Sequence, residues 1–136
     1  MSQPPTAPCS WERTYPGTAR EVGTARGWVH ALLDGYPAAA DAVQVFGELA
    51  NNAVMHTASG FPRGAFRVAV EMTEGGVRLA VSDQGARTAP CALPFDTSRD
   101  GGRGLALVAA YTSGRWWVTG DDTGRTVTAE LRWDAS

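Results

Sequence analysis

Glu48 and Asn52 stand four residues apart in a stretch that reads as helix, so their side chains leave one face, a turn from each other. An amide oxygen is a hard ligand suited to Mg²⁺, a cation that keeps several waters and bridges to phosphates. A carboxylate one turn away can orient and deprotonate a water or hydroxyl nucleophile. A bare Glu–Asn pair is ordinarily a solvated stripe, because Val45, Phe46, Leu49 and Ala53 already fill the core side of the helix. The setting raises this one. Asn51 and Asn52 are poor helix formers at a helix interior, and His56 follows on the same stripe.

Two further places carry chemistry. Asp83 closes an apolar strand and is followed by Gly85. A strand-end Asp-x-Gly is often only a turn. A buried carboxylate there can instead accept from the exocyclic amine of adenine, while Gly85 lets the backbone approach the ring. Guanine has no amine at that position, so such a site discriminates. Further on, Asp100-Gly101-Gly102-Arg103-Gly104-Leu105 opens into a helix. Glycines there let backbone N–H groups converge on an anion, although the same run also suits a flexible loop ending in a helix cap. No βαβ unit encloses it, so it is not a Rossmann fingerprint. A Walker A loop and a eukaryotic-type protein kinase both need a lysine, and all 12 basic residues here are arginine.

The elements that must position these groups follow from period and punctuation. Residues 1–8 form a Pro-rich tail, and residues 9–15 a short edge strand ended by Pro16-Gly17. Thr18 is a good N-cap for a helix reaching about Leu33, with Val22, Ala25, Val29 and Leu32 or Leu33 as its apolar face. A second helix runs over 38–56 after Gly35 and Pro37. Residues 66–72 and 77–82 form a hairpin through Thr73-Glu74-Gly75-Gly76. Residues 84–103 hold no sustained period, and a stretch of that length in a small domain reads as a functional lid, about residues 86–101. A short helix over 105–111 and strands over 115–119 and 125–133 complete the chain. The order β-α-α-β-β-loop-α-β-β is an α+β domain: a two-layer α/β sandwich, a mainly antiparallel mixed sheet with helices packed on one face.

Composition narrows the function classes. The chain has 136 residues, enough for one domain with a proper core, spanning residues 9–136. A net charge of −2 gives no basic field for nucleic acid or an anionic membrane. No apolar run approaches a transmembrane length, and a cytoplasmic location is the expectation. Cys9 and Cys91 form no CxxC motif, and His30 and His56 are the two histidines, so a zinc site or disulfide framework is not expected.

In their order, Glu48-Leu49-Ala50-Asn51-Asn52-Ala53, Val81-Ser82-Asp83-Gln84-Gly85, Gly102-Arg103-Gly104-Leu105 and Gly124-Arg125-Thr126 resemble the N, G1 and G2 boxes and the closing threonine of the GHKL (Bergerat-fold) ATPases. The resemblance covers about residues 10–133. It is nearest to the stand-alone anti-sigma factor serine kinases of the SpoIIAB/RsbW type, whose helix reads E-L-x-x-N-A-x-x-H, here Glu48 to His56. It implies ATP and Mg²⁺ as ligands, with Asn52 on the metal and Glu48 as catalytic base. Asp83 takes the adenine amine, with Thr126 supporting it through water, and Gly85 allows close approach. Gly102, Arg103, Gly104 and Leu105 belong to the phosphate-binding box beneath the lid. Arg26 resembles an arginine of the partner surface. The partners implied are a sigma factor and an anti-anti-sigma protein with a STAS domain, and a homodimer is compatible with the resemblance.

Two functions follow. One is a serine kinase that binds a sigma factor and phosphorylates the STAS antagonist. The other is a nucleotide-dependent binding module with negligible transfer activity. A fragment of a sensor histidine kinase fits less well, because His30 lacks the acidic neighbour that family places after its histidine.

Overall fold

The computed structural model describes residues 9–56, 64–83, 100–121 and 124–132, with 56, 100–105 and 121 described in backbone only. In chain order the elements are β1 (Cys9–Pro16), α1 (Ala19–Leu33), α2 (Ala39–His56), β2 (Ala65–Thr73), β3 (Gly76–Asp83), α3 (Asp100–Thr112), β4 (Trp116–Asp121) and β5 (Gly124–Arg132). The sheet order is β1-β2-β3-β5-β4. All four pairings are antiparallel, so the expected sheet forms without a parallel pair among the described residues.

Thr18 caps α1 as its side chain predicts: its hydroxyl accepts from the Glu21 amide at 3.2 Å. The buried face of α1 is Val22, Ala25, Val29 and Leu33. Gly35, at φ +90, turns the chain in the left-handed region that glycine enters without strain, and α2 begins four residues later. α2 is the central helix, packing on α1, on α3 and across β3. Its Val45, Phe46 and Leu49 are fully enclosed against Val68, Val70, Leu79 and Val81. Burial of each such side chain is worth about 1.5–3 kcal/mol, so this layer dominates the stability of the frame.

Period two in β3 sends Val77, Leu79, Val81 and Asp83 toward the helices and Arg78, Ala80 and Ser82 to the other face. The far face is polar. There Arg78 donates to Glu130 at 2.9 and 2.6 Å and to Glu71 at 3.2 Å, and its guanidinium lies 5.8 Å from the Trp117 ring centroid. At the start of β3, Gly76 is held so close to β5 that a Cβ would stand 2.1 Å from the Leu131 carbonyl oxygen.

One boundary differs from expectation. α3 starts at Asp100 and not at Leu105, so Gly101, Gly102, Arg103 and Gly104 lie inside its first turns. The sequence conceals this because three glycines each disfavour helix by roughly 1 kcal/mol. Buried Val108 and Thr112 anchor the other end.

Candidate functional site

Asn52 and Glu48 remain one turn apart on α2 but differ in burial. Asn52 continues the Val45–Leu49 stripe and is buried at 6% exposure, whereas Glu48 is half-buried. The solvated-stripe alternative therefore fails for Asn52. Its amide oxygen Oδ1 is enclosed and has no hydrogen-bond partner among the described residues. A buried acceptor left unpaired costs on the order of 1–3 kcal/mol, a cost that a donor or a cation can remove. Among the described residues no three His, Cys, Asp or Glu side chains gather into a metal cluster. A single hard oxygen fits a cation that brings its own waters and phosphates, as Mg²⁺ does.

Asp83 ends β3 on the helix-facing side, with its side chain 3% exposed. Directly across from it in the register is Arg125 of β5. Arg125 Nε lies 3.8 Å from Asp83 Oδ1, an ion pair slightly too long for a hydrogen bond. Arg125 Nε and Nη2 are both enclosed and lack a hydrogen-bond partner among the described residues. The Gly124-Arg125-Thr126 motif gives a role to the threonine and none to Arg125. The strand period was the available signal: the residue paired with Asp83, not its neighbour, shares its face.

Thr126, expected to support Asp83 through water, lies on the other face of β5. It pairs with Ser82 on the face away from the helices, and the two hydroxyls are 2.8 Å apart. Alternation along β5 turns it away from Asp83.

Arg26 is exposed on α1, as expected of a surface arginine, yet it is not detached. Its side chain lies over Gly47 of α2, with Nε 3.3 Å from where a Cβ would stand. The absence of a side chain at Gly47 admits the guanidinium next to Glu48 in sequence. Gly102, Arg103, Gly104 and Leu105 are brought to the N-terminal part of α3 as backbone. The first turn of a helix carries N–H groups without intrahelical acceptors, which favours an anion there. Gly85 and lid residues 86–99 lie outside the described residues.

A groove of about 540 Å³ lies elsewhere, lined by Thr73, Gly76, Arg78, Glu130 and Arg132 at the hairpin end of the sheet. It contains none of the residues singled out by the motifs. Arg78 is already paired with Glu130, and Thr73 with the Gly76 carbonyl, so size alone does not make it the site.

A sequence model of the histidine kinase-like ATPase domain family matches residues 15–131. The match takes in both helices, the Asp83 strand end and the α3 segment, and the chain belongs to this family of ATP-binding domains. No curated protein matches the chain. Among solved structures, a chain of the SiaB–SiaC complex from Pseudomonas aeruginosa is similar, with a TM-score of 0.59 and 20% identity. The similarity covers 89% of this chain and 88% of that one, and supports the fold. No helix among the described residues is long and apolar enough to cross a membrane.

Proposed function

We propose that the protein is an ATP- and Mg²⁺-dependent anti-sigma regulator that acts in the cytoplasm as a protein serine kinase on a STAS-type antagonist. The observation that carries the reading is the Oδ1 of Asn52, enclosed and without a hydrogen-bond partner among the described residues, in a histidine kinase-like ATPase domain. That oxygen is the donor through which this chain would hold magnesium. The metal's contribution is to neutralise charge on the phosphates. Asp83 accepts from the adenine amine, and the N–H groups at the start of α3, with Gly102 in the first turn, offer donors to phosphate oxygens. Gly85 gives the ring room, and Arg103, Gly104 and Leu105 continue the phosphate-facing segment.

Glu48 stands one turn before Asn52 and keeps partial access to solvent. Its carboxylate takes the proton of the attacking serine hydroxyl. The serine oxygen bonds to the γ-phosphorus as the bond to the bridging oxygen breaks and ADP leaves. General-base assistance of this kind contributes about 10²–10⁴-fold in rate. Arg26, over Gly47, belongs to the surface that meets the partner, a sigma factor or the antagonist. The similarity to a chain from a two-protein complex supports a protein partner for this fold.

The test is transfer from γ-labelled ATP to candidate STAS proteins, with wild type and Glu48→Gln in parallel. The kinase reading expects label on a partner serine with wild type and none with Glu48→Gln, while ATP affinity is kept. ATP binding and sigma-factor capture without transfer by wild type would instead make the protein a nucleotide-dependent binding module.

A further inference from the structure

Arg125 is a largely enclosed charged residue to which the motifs assign no role. It sits across from Asp83 on the helix-facing side of the sheet, with its side chain 12% exposed. A guanidinium that served only to neutralise Asp83 would be expected to aim its N–H groups at the carboxylate. Here Nε is 3.8 Å from Oδ1, beyond hydrogen-bond range, and both Nε and Nη2 are enclosed without an acceptor among the described residues. Buried donors of a charged group are costly to leave unpaired. Their position beside the adenine-amine acceptor says what kind of acceptor would satisfy them.

We infer that Arg125 is a specificity-determining residue that donates to N1 of adenine while Asp83 accepts from the neighbouring N6 amine; this rests on the ATP-site reading above. The pair then presents an acceptor and a donor side by side, which matches the N6–H and N1 edge of adenine. Guanine in the same place presents O6 to the carboxylate and N1–H to the guanidinium, so both contacts become repulsive. Two reversed contacts discriminate more strongly than the loss of one. The neighbouring Thr126 cannot contribute, because its hydroxyl is engaged with Ser82 on the opposite face.

Calorimetric titration of the full chain with ATP, 1-deaza-ATP and 7-deaza-ATP tests the assignment through binding alone. In 1-deaza-ATP a C–H replaces N1 and the Arg125 contact is lost. The expected result is a Kd weaker than that of ATP by roughly ten- to hundredfold for wild type, the range for a hydrogen bond to a charged group. The 7-deaza compound, altered on the other edge, binds like ATP. In Arg125→Ala, ATP falls to the level of 1-deaza-ATP, the two become equal, and the ATP-to-GTP preference shrinks. Should that variant fail to fold, the wild-type comparison decides without it. If wild type binds ATP and 1-deaza-ATP equally, the Arg125 contact is refuted while the ATP site stands. If wild type binds no ATP at all, the ATP-site reading fails and takes this one with it.

Discussion

Strands β3 and β5 are joined by two arginine–carboxylate pairs that behave in opposite ways. Arg78 and Glu130 face away from the helices, with Glu71 completing a triad. All three guanidinium nitrogens donate to carboxylates, and Glu130 holds the Arg78 proton more firmly still, raising its pKa. Asp83 and Arg125 face the helices at the other end of β3, nearly out of solvent, and there two guanidinium nitrogens find no acceptor among the described residues. The exposed pair is complete, whereas the buried pair retains unused donors. Burial makes such donors expensive, so the economical place for an unfinished network is where a ligand finishes it. The paired network ties strands together, and the unfinished one marks the candidate site.

The contrast can be broken by mutation, with effects that should descend in order. Asp83→Asn should weaken ATP binding by about 1–3 kcal/mol, since the amide presents a donor where adenine also donates. It also strips Arg125 of its counter-charge, so calorimetry should be paired with a melting curve to separate affinity from stability. Gly76→Ala acts at the paired end and should leave nucleotide affinity alone. It should cost stability by roughly 1–3 kcal/mol, because the added Cβ meets the Leu131 carbonyl and backbone must shift. Urea denaturation reads that loss directly.

Arg78→Ala should cost only about 0.5–1 kcal/mol, because its side chain is 42% exposed and solvent screens the triad. The loss should shrink further in high salt. The smallest effect belongs to Tyr15. Its ring stacks on Phe66 with centroids 5.7 Å apart, but its hydroxyl is enclosed and unpartnered among the described residues. Burial is also the main cause that raises its pKa. Tyr15→Phe keeps the ring and removes the unpaired oxygen, so thermal stability should stay level or rise slightly.

Most of the frame was legible because it rests on local rules. The Thr18 cap, the Val22-Ala25-Val29-Leu33 stripe and the hairpin turn at 73–76 are each fixed by neighbouring residues. The start of α3 was not, since glycine propensity argues against helix while the tertiary anchors Val108 and Thr112 lie further along the chain. Asn52 and Asp83 could be named as candidate site residues from their motifs. That Asn52 would be buried and Glu48 only half so required the rotation of α2 against the sheet. Arg125 depended on cross-strand register: Asp83 and Arg125 are far apart in sequence and meet only through the β3–β5 pairing.

The central claim is that Asn52 supplies the metal-dependent part of ATP binding, and it is tested most directly by titrating ATP calorimetrically in Mg²⁺ and in EDTA. Wild type should bind ATP in Mg²⁺ and lose affinity on chelation, by roughly tenfold or more if the contact is worth about 1.5–3 kcal/mol. Asn52→Ala should bind weakly in both conditions, insensitive to chelation, while keeping the wild-type fold by circular dichroism. An affinity in wild type that EDTA does not change, or an Asn52→Ala variant that binds Mg²⁺ and ATP as wild type does, would contradict the account.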